Sequence, residues 1–312
     1  MPVGGVQDPH DSTVRAASDI AGTAGRARLV RFADVHVASL AVYPVKSTRA
    51  LPVSTATVHP HGLEHDRRWA VVDHAGAVIT ARTRDRMLRI SAAPTATGLH
   101  LSAPDMPDLH VPFPVGGAVV PVGVSRMPEA RYGGDDAAAW CSRVLGEPVR
   151  LIWQDDPRAR SVAPEHGGRD GDHVSLADTG PLLLASTASV ARLNEWIAET
   201  DPDAAIPVGR FRPNVVVDDA DGKLEAFDED RWARVRIGSV TYRFTEQCDR
   251  CVLTTIDPDT LAHGKEPLRT LARHRKRAGK TWFAIRLVPE HSGTITLGDR
   301  VDVLERQSPA PE

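Results

Sequence analysis

The chain has 312 residues, and its 38 Lys and Arg against 41 Asp and Glu give a formal charge of −3 at pH 7. This balance excludes a polycation built to bind nucleic acid or an anionic membrane surface. The length predicts about two domains. The three cysteines are too few for a disulfide framework, and two of them, Cys248 and Cys251, lie three positions apart.

The first 34 residues predict a disordered extension, because they are rich in Gly, Ala, Ser, Asp and Arg and have no continuous apolar run. For the same reason they do not resemble a secretory signal. No run of 18 apolar residues occurs, so we expect no transmembrane helix. Free thiols are typical of a reducing compartment, which leads us to expect a cytoplasmic protein.

The first third of the chain is predicted to form short strands. Apolar, β-branched or alternating runs lie at Val37–Val45, Pro52–His59, Arg68–Val72, Val78–Ala81, Leu88–Ile90, Leu99–Leu101 and Leu109–Val111. The cluster Asp73–Gly76 predicts a hairpin turn between the third and fourth runs. Strands at this spacing, separated by Gly, Pro and Asp, indicate a barrel or a sandwich.

Helices and further strands follow. Asp135–Leu145 predicts a helix with Gly146 as its C-cap and with Cys141 as a buried structural thiol. Ser186 or Thr187 predicts the start of a second helix, and Glu266–Arg275 a third. Strands are predicted at Asn214–Val217, Ala233–Ile237, Val240–Phe244, Val252–Ile256, Ala284–Val288, Thr294–Leu297 and Val301–Leu304. The predicted class is α+β, mainly β.

The sharpest local feature is Cys248-Asp249-Arg250-Cys251, and three interpretations compete for it. The pair supplies two ligands of a zinc site, but the remaining ligands would have to be His or acidic residues, since no second pair exists. A thiol–disulfide pair normally precedes a helix, whereas a strand is predicted after Cys251. A single thiolate ligating a soft metal is the third interpretation, with Arg250 favouring the anion. Two unreactive thiols would fit the spacing as well.

Three short cationic segments are candidate anion sites. Lys46-Ser47 ends the first predicted strand, without the Gly-rich loop of a P-loop. Asp66-Arg67-Arg68-Trp69 and Gly209–Asn214 carry arginines, whose planar guanidinium groups suit phosphate or carboxylate. Taken singly, each segment also fits an exposed turn, a surface ion pair or a polar strand entry.

The segment from Arg269 to Lys280 is the most basic stretch of the chain, with six Lys or Arg side chains. A solvated helix face explains such a pattern, and a docking patch for an acidic partner is the alternative. A nucleic-acid site would need interleaved aromatic residues on a basic chain, which this sequence lacks.

The order of these motifs resembles one known family. Tyr43–Ser47, Asp66-Arg67 with Trp69, Phe211–Asn214 and Cys248–Cys251 are followed by Thr254–Thr260, Lys265–Leu268, Val288–Glu290 and Gly293–Ile295. The whole resembles a MOSC protein with its N-terminal β-barrel domain, closest in pattern to the amidoxime-reducing components. The resemblance implies an N-terminal MOSC barrel at 35–155, a MOSC domain at 156–306 and a tail at 307–312.

The resemblance also implies molybdenum cofactor, a molybdopterin whose dithiolene holds the metal. It makes Cys251 the protein ligand of the metal and the catalytic residue. Lys46, Ser47 and Arg67 would hold the pterin phosphate, and Arg212 and Asn214 would contact the pterin. Thr179 and Gly180 would line the site, with Asp249 and Arg250 beside the ligand. Lys and Arg donors suit a dianionic phosphate, and an amide suits a pterin edge.

Two residues depart from the family pattern. Asp249 stands where the relatives can have serine, and Gly180 stands where they tend to have serine before the proline of the middle loop. A negative charge at Asp249 would be placed beside the metal. The sequence has no further Cys cluster for an iron–sulfur centre. Electrons are therefore expected from another protein, a ferredoxin, a flavodoxin or a cytochrome b5-like carrier.

The resemblance leads to an oxidoreductase that reduces small N-hydroxylated or N-oxide substrates, with neither nucleic acid nor membrane as a partner. The first alternative is a sulfur-transfer or cofactor-carrier module with a persulfide on Cys251, since MOSC domains also occur attached to cofactor sulfurases. The second alternative is a non-enzymatic zinc or redox domain built on Cys248 and Cys251.

Overall fold

A computed structural model describes residues 35–308. The predicted disordered extension, residues 1–34, lies outside the described residues, as does most of the predicted tail. The helices are α1 Asp135–Leu145, α2 Thr187–Ala198 and α3 Leu268–His274. The strands are β1 Val35–Val42, β2 Leu51–Pro52, β3 Thr55–His59, β4 Gly62–Leu63, β5 Trp69–Val72, β6 Val78–Ile79, β7 Ser91–Thr95, β8 Gly98–Ser102, β9 Leu109–Pro112, β10 Val119–Val124, β11 Met127–Tyr132, β12 Arg150–Trp153, β13 Leu182–Ser186, β14 Val215–Asp219, β15 Trp232–Ile237, β16 Val240–Asp249, β17 Lys276–Arg277, β18 Lys280–Pro289, β19 Gly293–Thr296 and β20 Val301–Arg306.

The largest sheet has nine strands in the order β2-β1-β14-β13-β18-β16-β15-β20, with β17 paired to β18. Its neighbours are antiparallel except for β13 and β14. Val37 joins the two ends, because its N–H donates to Asp299 O and its carbonyl accepts from Gly298 N, both at 2.9 Å. The sheet thereby curls into a barrel around a core that includes Leu63, Tyr242 and Ile285.

Residues 69–153 contribute the other large β unit. Strands β10-β11-β12-β5-β6 form a five-stranded antiparallel sheet, and β7-β8-β9 form a three-stranded one. Helix α1 packs on β9 and β12, burying Trp140 and Cys141. The predicted α+β class with dominant strands is confirmed. Strands β1–β4 lie before this unit in the chain, yet β1 pairs with β14 and β3 with β19.

The helix boundaries follow the predicted caps. Gly146 closes α1 with a left-handed φ of 75°, a conformation that glycine adopts without a steric penalty. Ser186 is the N-cap of α2, since its Oγ accepts from Ser189 N at 3.1 Å. Burial raises the pKa of the Cys141 thiol to about 12, as expected for a structural cysteine.

Two predicted strands are wrong. Residues 85–89 form a 3₁₀ helix in place of the strand at Leu88–Ile90, and Val252–Thr255 form another in place of the strand after Cys251. In the second case, Thr254 Oγ1 donates to Cys251 O at 3.0 Å, and Thr255 Oγ1 donates to Val252 O at 2.8 Å. These local bonds outweigh the β preference of branched residues.

A buried carboxylate beside α2 makes stability depend on pH. Glu229 is fully buried, where it accepts from Ser189 Oγ at 2.7 Å and Ser186 Oγ at 3.0 Å. Burial, with Asp230 nearby, raises its pKa from 4.5 to about 7. The folded state therefore binds the proton more tightly than the unfolded state, so this group's contribution is complete below pH 4.5 and is lost as pH rises to 7.

We expect Glu229→Gln to flatten that pH dependence and to raise the free energy of unfolding at pH 8 by about 3 kcal/mol at most. Urea unfolding at several pH values measures it. Glu225→Gln, an exposed carboxylate in the preceding turn, is the matched control and should leave the profile as in wild type. A Glu229→Gln profile that still falls between pH 4.5 and 7 would show that another group carries the effect.

Candidate functional site

A cavity of about 440 Å³ lies where loops of the two β units meet. All ten residues that the resemblance assigned to the site line this cavity: Lys46, Ser47, Arg67, Thr179, Gly180, Arg212, Asn214, Asp249, Arg250 and Cys251. They come from five separate segments of the chain. The fold therefore brings the predicted site residues together, although their individual roles stay predictions.

The cavity wall is strongly cationic. Eight Lys or Arg side chains line it against two carboxylates, Asp178 and Asp249. Half of these cations belong to the predicted site, and the others are Arg82, Arg210, Lys280 and Arg286. Because the whole chain carries a formal charge of −3, this concentration of positive charge is local and suits an anionic ligand.

Tyr43 separates two of the arginines. The Arg67 guanidinium lies 4.3 Å from the centroid of its ring and the Arg212 guanidinium 4.2 Å. The Tyr43 hydroxyl donates to Pro213 O at 3.1 Å, which fixes the ring. Cation–π contact with a buried ring holds two like charges near each other and restricts their side-chain rotamers.

Asp66 and Asn214 hold one arginine of this pair, Arg67, through hydrogen bonds. Asp66 accepts from Tyr43 N at 2.9 Å, from Asn214 Nδ2 at 3.1 Å and from Arg67 Nη1 at 2.5 Å. Asn214 Oδ1 accepts from Arg67 Nη1 at 3.0 Å and from Leu183 N at 3.1 Å. The second bond of Asn214 Nδ2 goes to Ala41 O. The Asn214 amide is thus fully bonded within the protein, where it positions Arg67 and has no free edge for a pterin.

Several guanidinium nitrogens are buried without a hydrogen-bond partner among residues 35–308. They are Arg212 Nη2, Arg210 Nε and Nη1, and Arg250 Nε. All three arginines line the cavity. A buried donor without an acceptor costs about 1–3 kcal/mol, and an anion in the cavity would remove that cost. Burial lowers the pKa of Arg212 to about 10, so it stays protonated at neutral pH.

Lys46 and Ser47 line the cavity from the segment that follows β1. Lys46 Nζ donates to Leu176 O at 2.9 Å and pairs with Asp178. Arg82 Nη2 contacts the other oxygen of Asp178 at 2.8 Å. Lys46 and then Arg82 hold the pKa of Asp178 well below its usual range, so this carboxyl is ionised throughout the neutral range. Ser47 has a left-handed φ of 69°, which is uncommon for serine.

The two thiols have different arginine partners. Arg82 Nε donates to Cys251 Sγ at 3.2 Å, and Arg250 Nη1 donates to Cys248 Sγ at 2.7 Å. Arg250 is therefore the hydrogen-bond partner of Cys248, and Arg82 is that of Cys251. In extended backbone, adjacent side chains point to opposite sides while residues i and i+2 share one side, so Arg250 meets Cys248. Cys248 is buried and Cys251 is half-buried.

The loop that contains Thr179 and Gly180 contacts β16 and β18. Thr179 Oγ1 donates to Glu246 Oε1 at 2.9 Å, and Arg286 Nη1 contacts the same oxygen at 2.5 Å. A Cβ added to Gly180 would lie 3.0 Å from Arg286 Cβ and 3.1 Å from Arg286 Cδ. The absence of a side chain at Gly180 therefore lets Arg286 pack against this loop.

We expect Gly180→Ala to lower the free energy of unfolding by about 1–3 kcal/mol, because Arg286 Cβ is fixed to β18 and cannot move aside alone. Denaturant unfolding measures it. Gly209→Ala is the control, since Gly209 directly precedes the cavity residue Arg210 and nothing lies within 4 Å of its added Cβ. Equal losses from both substitutions would contradict the packing role of Gly180.

The charge of Asp249 is offset by two neighbouring cations. Arg286 Nη2 lies 3.6 Å from its Oδ1, and Lys280 Nζ lies 3.7 Å from its Oδ2. Asp249 lines the same cavity as Cys251. However, the local field of Asp249 is reduced by these ion pairs.

A protein-only zinc site is not supported by the donor set. Among residues 35–308, no group of three or more His, Cys, Asp or Glu side chains is arranged to hold a metal ion. A structural zinc site needs four such ligands. Cys248 and Cys251 therefore lack the additional ligands that the zinc interpretation required.

Sequence reasoning missed Arg82 and Asp178. Asp178 directly precedes the assigned Thr179 and was detectable as a neighbour. Arg82 lies in the turn after β6, about 170 positions before Cys251, in a stretch with Arg84 and Arg86 that gave no motif of its own. Only the three-dimensional fold brings it to the thiol.

Two family models match the sequence. The MOSC N-terminal beta barrel domain matches residues 34–148, and the MOSC domain matches residues 171–302. Human mitochondrial amidoxime-reducing component 1 is 35% identical over 288 residues, covering 86% of this chain and 82% of that protein. The chain belongs to the MOSC family of amidoxime-reducing components.

Further relatives extend the same match. Component 1 of Xenopus laevis is 33% identical and covers 85% of this chain and 81% of that protein. Human mitochondrial amidoxime reducing component 2 is 34% identical over 250 residues, covering 77% of this chain and 72% of that protein. No helix within residues 35–308 of this MOSC protein is long and apolar enough to span a membrane.

Proposed function

We propose that the protein is a molybdenum-cofactor oxidoreductase that reduces N-hydroxylated or N-oxide substrates with electrons from an external redox protein. The observation that carries the proposal is the cationic cavity that places Cys251 beside buried, unpartnered arginine donors. The names of the relatives, amidoxime-reducing components, support the substrate class.

The residues present fit the cofactor. A pterin phosphate needs several donors, and Lys46, Ser47 and Arg67 line the cavity. The free nitrogens of Arg210, Arg212 and Arg250 are buried donors for which an anionic pterin would be a partner. Cys251 supplies the thiolate that a soft metal requires.

The roles of the chain's residues follow from their contacts. Tyr43, Asp66 and Asn214 position Arg67 and Arg212 before any ligand arrives, which lowers the entropic cost of binding. Arg82 holds the Cys251 side chain through Nε and Asp178 through Nη2. Asp178 is ionised and therefore accepts hydrogen bonds in the cavity but does not supply a proton at neutral pH.

Reduction of an N–OH group to N–H releases water and consumes two electrons and two protons. When bound, the cofactor supplies the two-electron redox chemistry that removes the oxygen. The protein binds and orients the substrate in a cavity whose cations favour substrates carrying partial negative charge on oxygen. The two protons are drawn ultimately from solvent, and Asp178, which remains ionised, does not supply them.

The function is tested by supplying electrons without a protein partner. Dithionite-reduced methyl viologen should be oxidised by the purified holoenzyme only when an aromatic amidoxime is added, with one amidine formed per two electrons. Viologen oxidation without amidine formation, or no oxidation by a preparation containing molybdenum, would contradict the proposal.

We also propose that the protein works in the cytoplasm. The support is the set of three free cysteines, Cys141, Cys248 and Cys251, since a reducing compartment keeps such thiols unpaired. The curated relatives above are named as mitochondrial proteins. Fractionation of the native host cell tests the location, and recovery in a membrane-bounded organelle or with the membrane fraction would contradict it.

A further inference from the structure

Helix α3 and the β17–β18 hairpin form a strongly basic surface, here called the α3–β17 surface. Residues 265–280 contain seven Lys or Arg side chains and one acidic residue, Glu266. Glu266 is buried and paired with Arg269 at 2.6 Å, so it adds no free negative charge to the surface.

Some of these cations have structural partners within the protein. Arg275 pairs with Asp230, and Arg277 donates to Gln247 Oε1. Arg273 and Lys276 differ, because both are exposed and neither has a carboxylate within salt-bridge distance among residues 35–308. Two unpaired, exposed cations on adjoining elements leave a net positive field that extends into solvent.

The α3–β17 surface is joined directly to the Cys248–Cys251 segment. Arg250 N donates to Thr281 O at 2.8 Å, which ties that segment to the hairpin. Lys280, on the same hairpin, lines the cavity. Next to Cys251, Val252 is 44% exposed, one of few large apolar side chains in the described residues that reach solvent. An apolar contact beside the site and cations around it therefore occur together.

We propose that Val252, Arg273 and Lys276 form the docking surface for an acidic electron-transfer protein. This inference rests on the proposed function, whose reaction needs two electrons from outside the chain. The carrier would lose those two electrons in one or two encounters, and the substrate would gain them with two protons from water. Opposite charges speed the encounter of two proteins, and a small apolar contact suits a transient complex.

The test compares two double charge reversals that change the net charge equally. Arg273→Glu with Lys276→Glu alters the α3–β17 surface, and Arg143→Glu with Arg158→Glu alters exposed positions at α1 and after β12. The probes are a plant-type [2Fe–2S] ferredoxin, a flavodoxin and a cytochrome b5 haem domain. Binding is measured by calorimetry, and oxidation of each reduced carrier by stopped flow, at 20 and 300 mM salt.

We expect at least one carrier to bind wild type, with an association rate about tenfold or more higher at low salt. The Arg273/Lys276 variant should lose most of that low-salt increase in association rate, whereas the association rate of the Arg143/Arg158 variant should stay within about twofold of wild type. Viologen-driven turnover of both variants should also stay within about twofold of wild type. Equal effects of the two reversals, or no salt-sensitive binding of any carrier, would overturn the docking surface. Failure of viologen-driven turnover in wild type would instead contradict the proposed function. The carrier-binding measurements would then still test the docking surface by themselves.

Discussion

Cys251→Ala is expected to abolish substrate reduction while the protein stays folded. Loss of a hydrogen bond to a metal ligand typically costs 10–100-fold in metal affinity or activity, so loss of the ligand itself should exceed about a hundredfold. Cys251 is half-buried at the start of a 3₁₀ turn, and within the described part of the chain its Sγ makes one side-chain hydrogen bond, with Arg82. Removing this sulfur should therefore change the free energy of unfolding little. Bound molybdenum, viologen-driven turnover and the urea midpoint are measured together.

Cys248→Ala is the matched control for that experiment. Cys248 is buried and accepts from Arg250 Nη1, so its loss should reduce stability more than the loss of Cys251 but should retain molybdenum. Retained activity in Cys251→Ala together with lost activity in Cys248→Ala would reassign the ligand. One extra sulfur on Cys251 by mass spectrometry, in protein without molybdenum, would favour the sulfur-transfer alternative.

Asp66→Asn is expected to lower the free energy of unfolding by about 3–5 kcal/mol, the usual loss when one member of a buried ion pair is removed. Asp66 is 1% exposed and is the carboxylate that balances Arg67, which lies beside Arg212 across the Tyr43 ring. An amide at this position would also direct N–H groups toward other donors. The same variant should retain less pterin, since Arg67 would lose its fixed geometry.

Asp259→Asn provides the comparison for Asp66. Its carboxylate pairs with Arg49 at 2.7 Å, but its side chain is 74% exposed. Solvent screens such a pair, so the expected loss is below about 1 kcal/mol. Similar urea midpoints for the two variants would contradict the buried network as the support of the arginine pair.

Local sequence rules predicted much of the fold because they act over a few residues. Gly146 and Ser186 mark helix ends through backbone conformation and a single side-chain bond, and both are found as predicted. The 3₁₀ turn after Cys251 was not predictable from β preference, because hydroxyl bonds from Thr254 and Thr255 decide it.

The sequence predicts which residues line the candidate site better than it predicts what each of these residues contacts. Family motifs placed ten residues, and all ten line one cavity. Arg82 could not be linked to Cys251 because no local pattern reports a contact between segments so far apart. The Asn214 amide was expected to face a ligand, but its four internal bonds depend on Asp66, Arg67, Leu183 and Ala41, which are distant in sequence.

The central claim is that this cationic cavity holds molybdenum cofactor, and elemental and pterin analysis tests it most directly. Protein purified from a molybdenum-replete host should contain molybdenum and pterin in equal amounts, approaching one equivalent each. Arg212→Gln should lower both together, because it removes a buried cavity donor whose Nη2 has no hydrogen-bond partner in the part of the chain that the structure describes. Less than about a tenth of an equivalent of both in wild type would contradict the account.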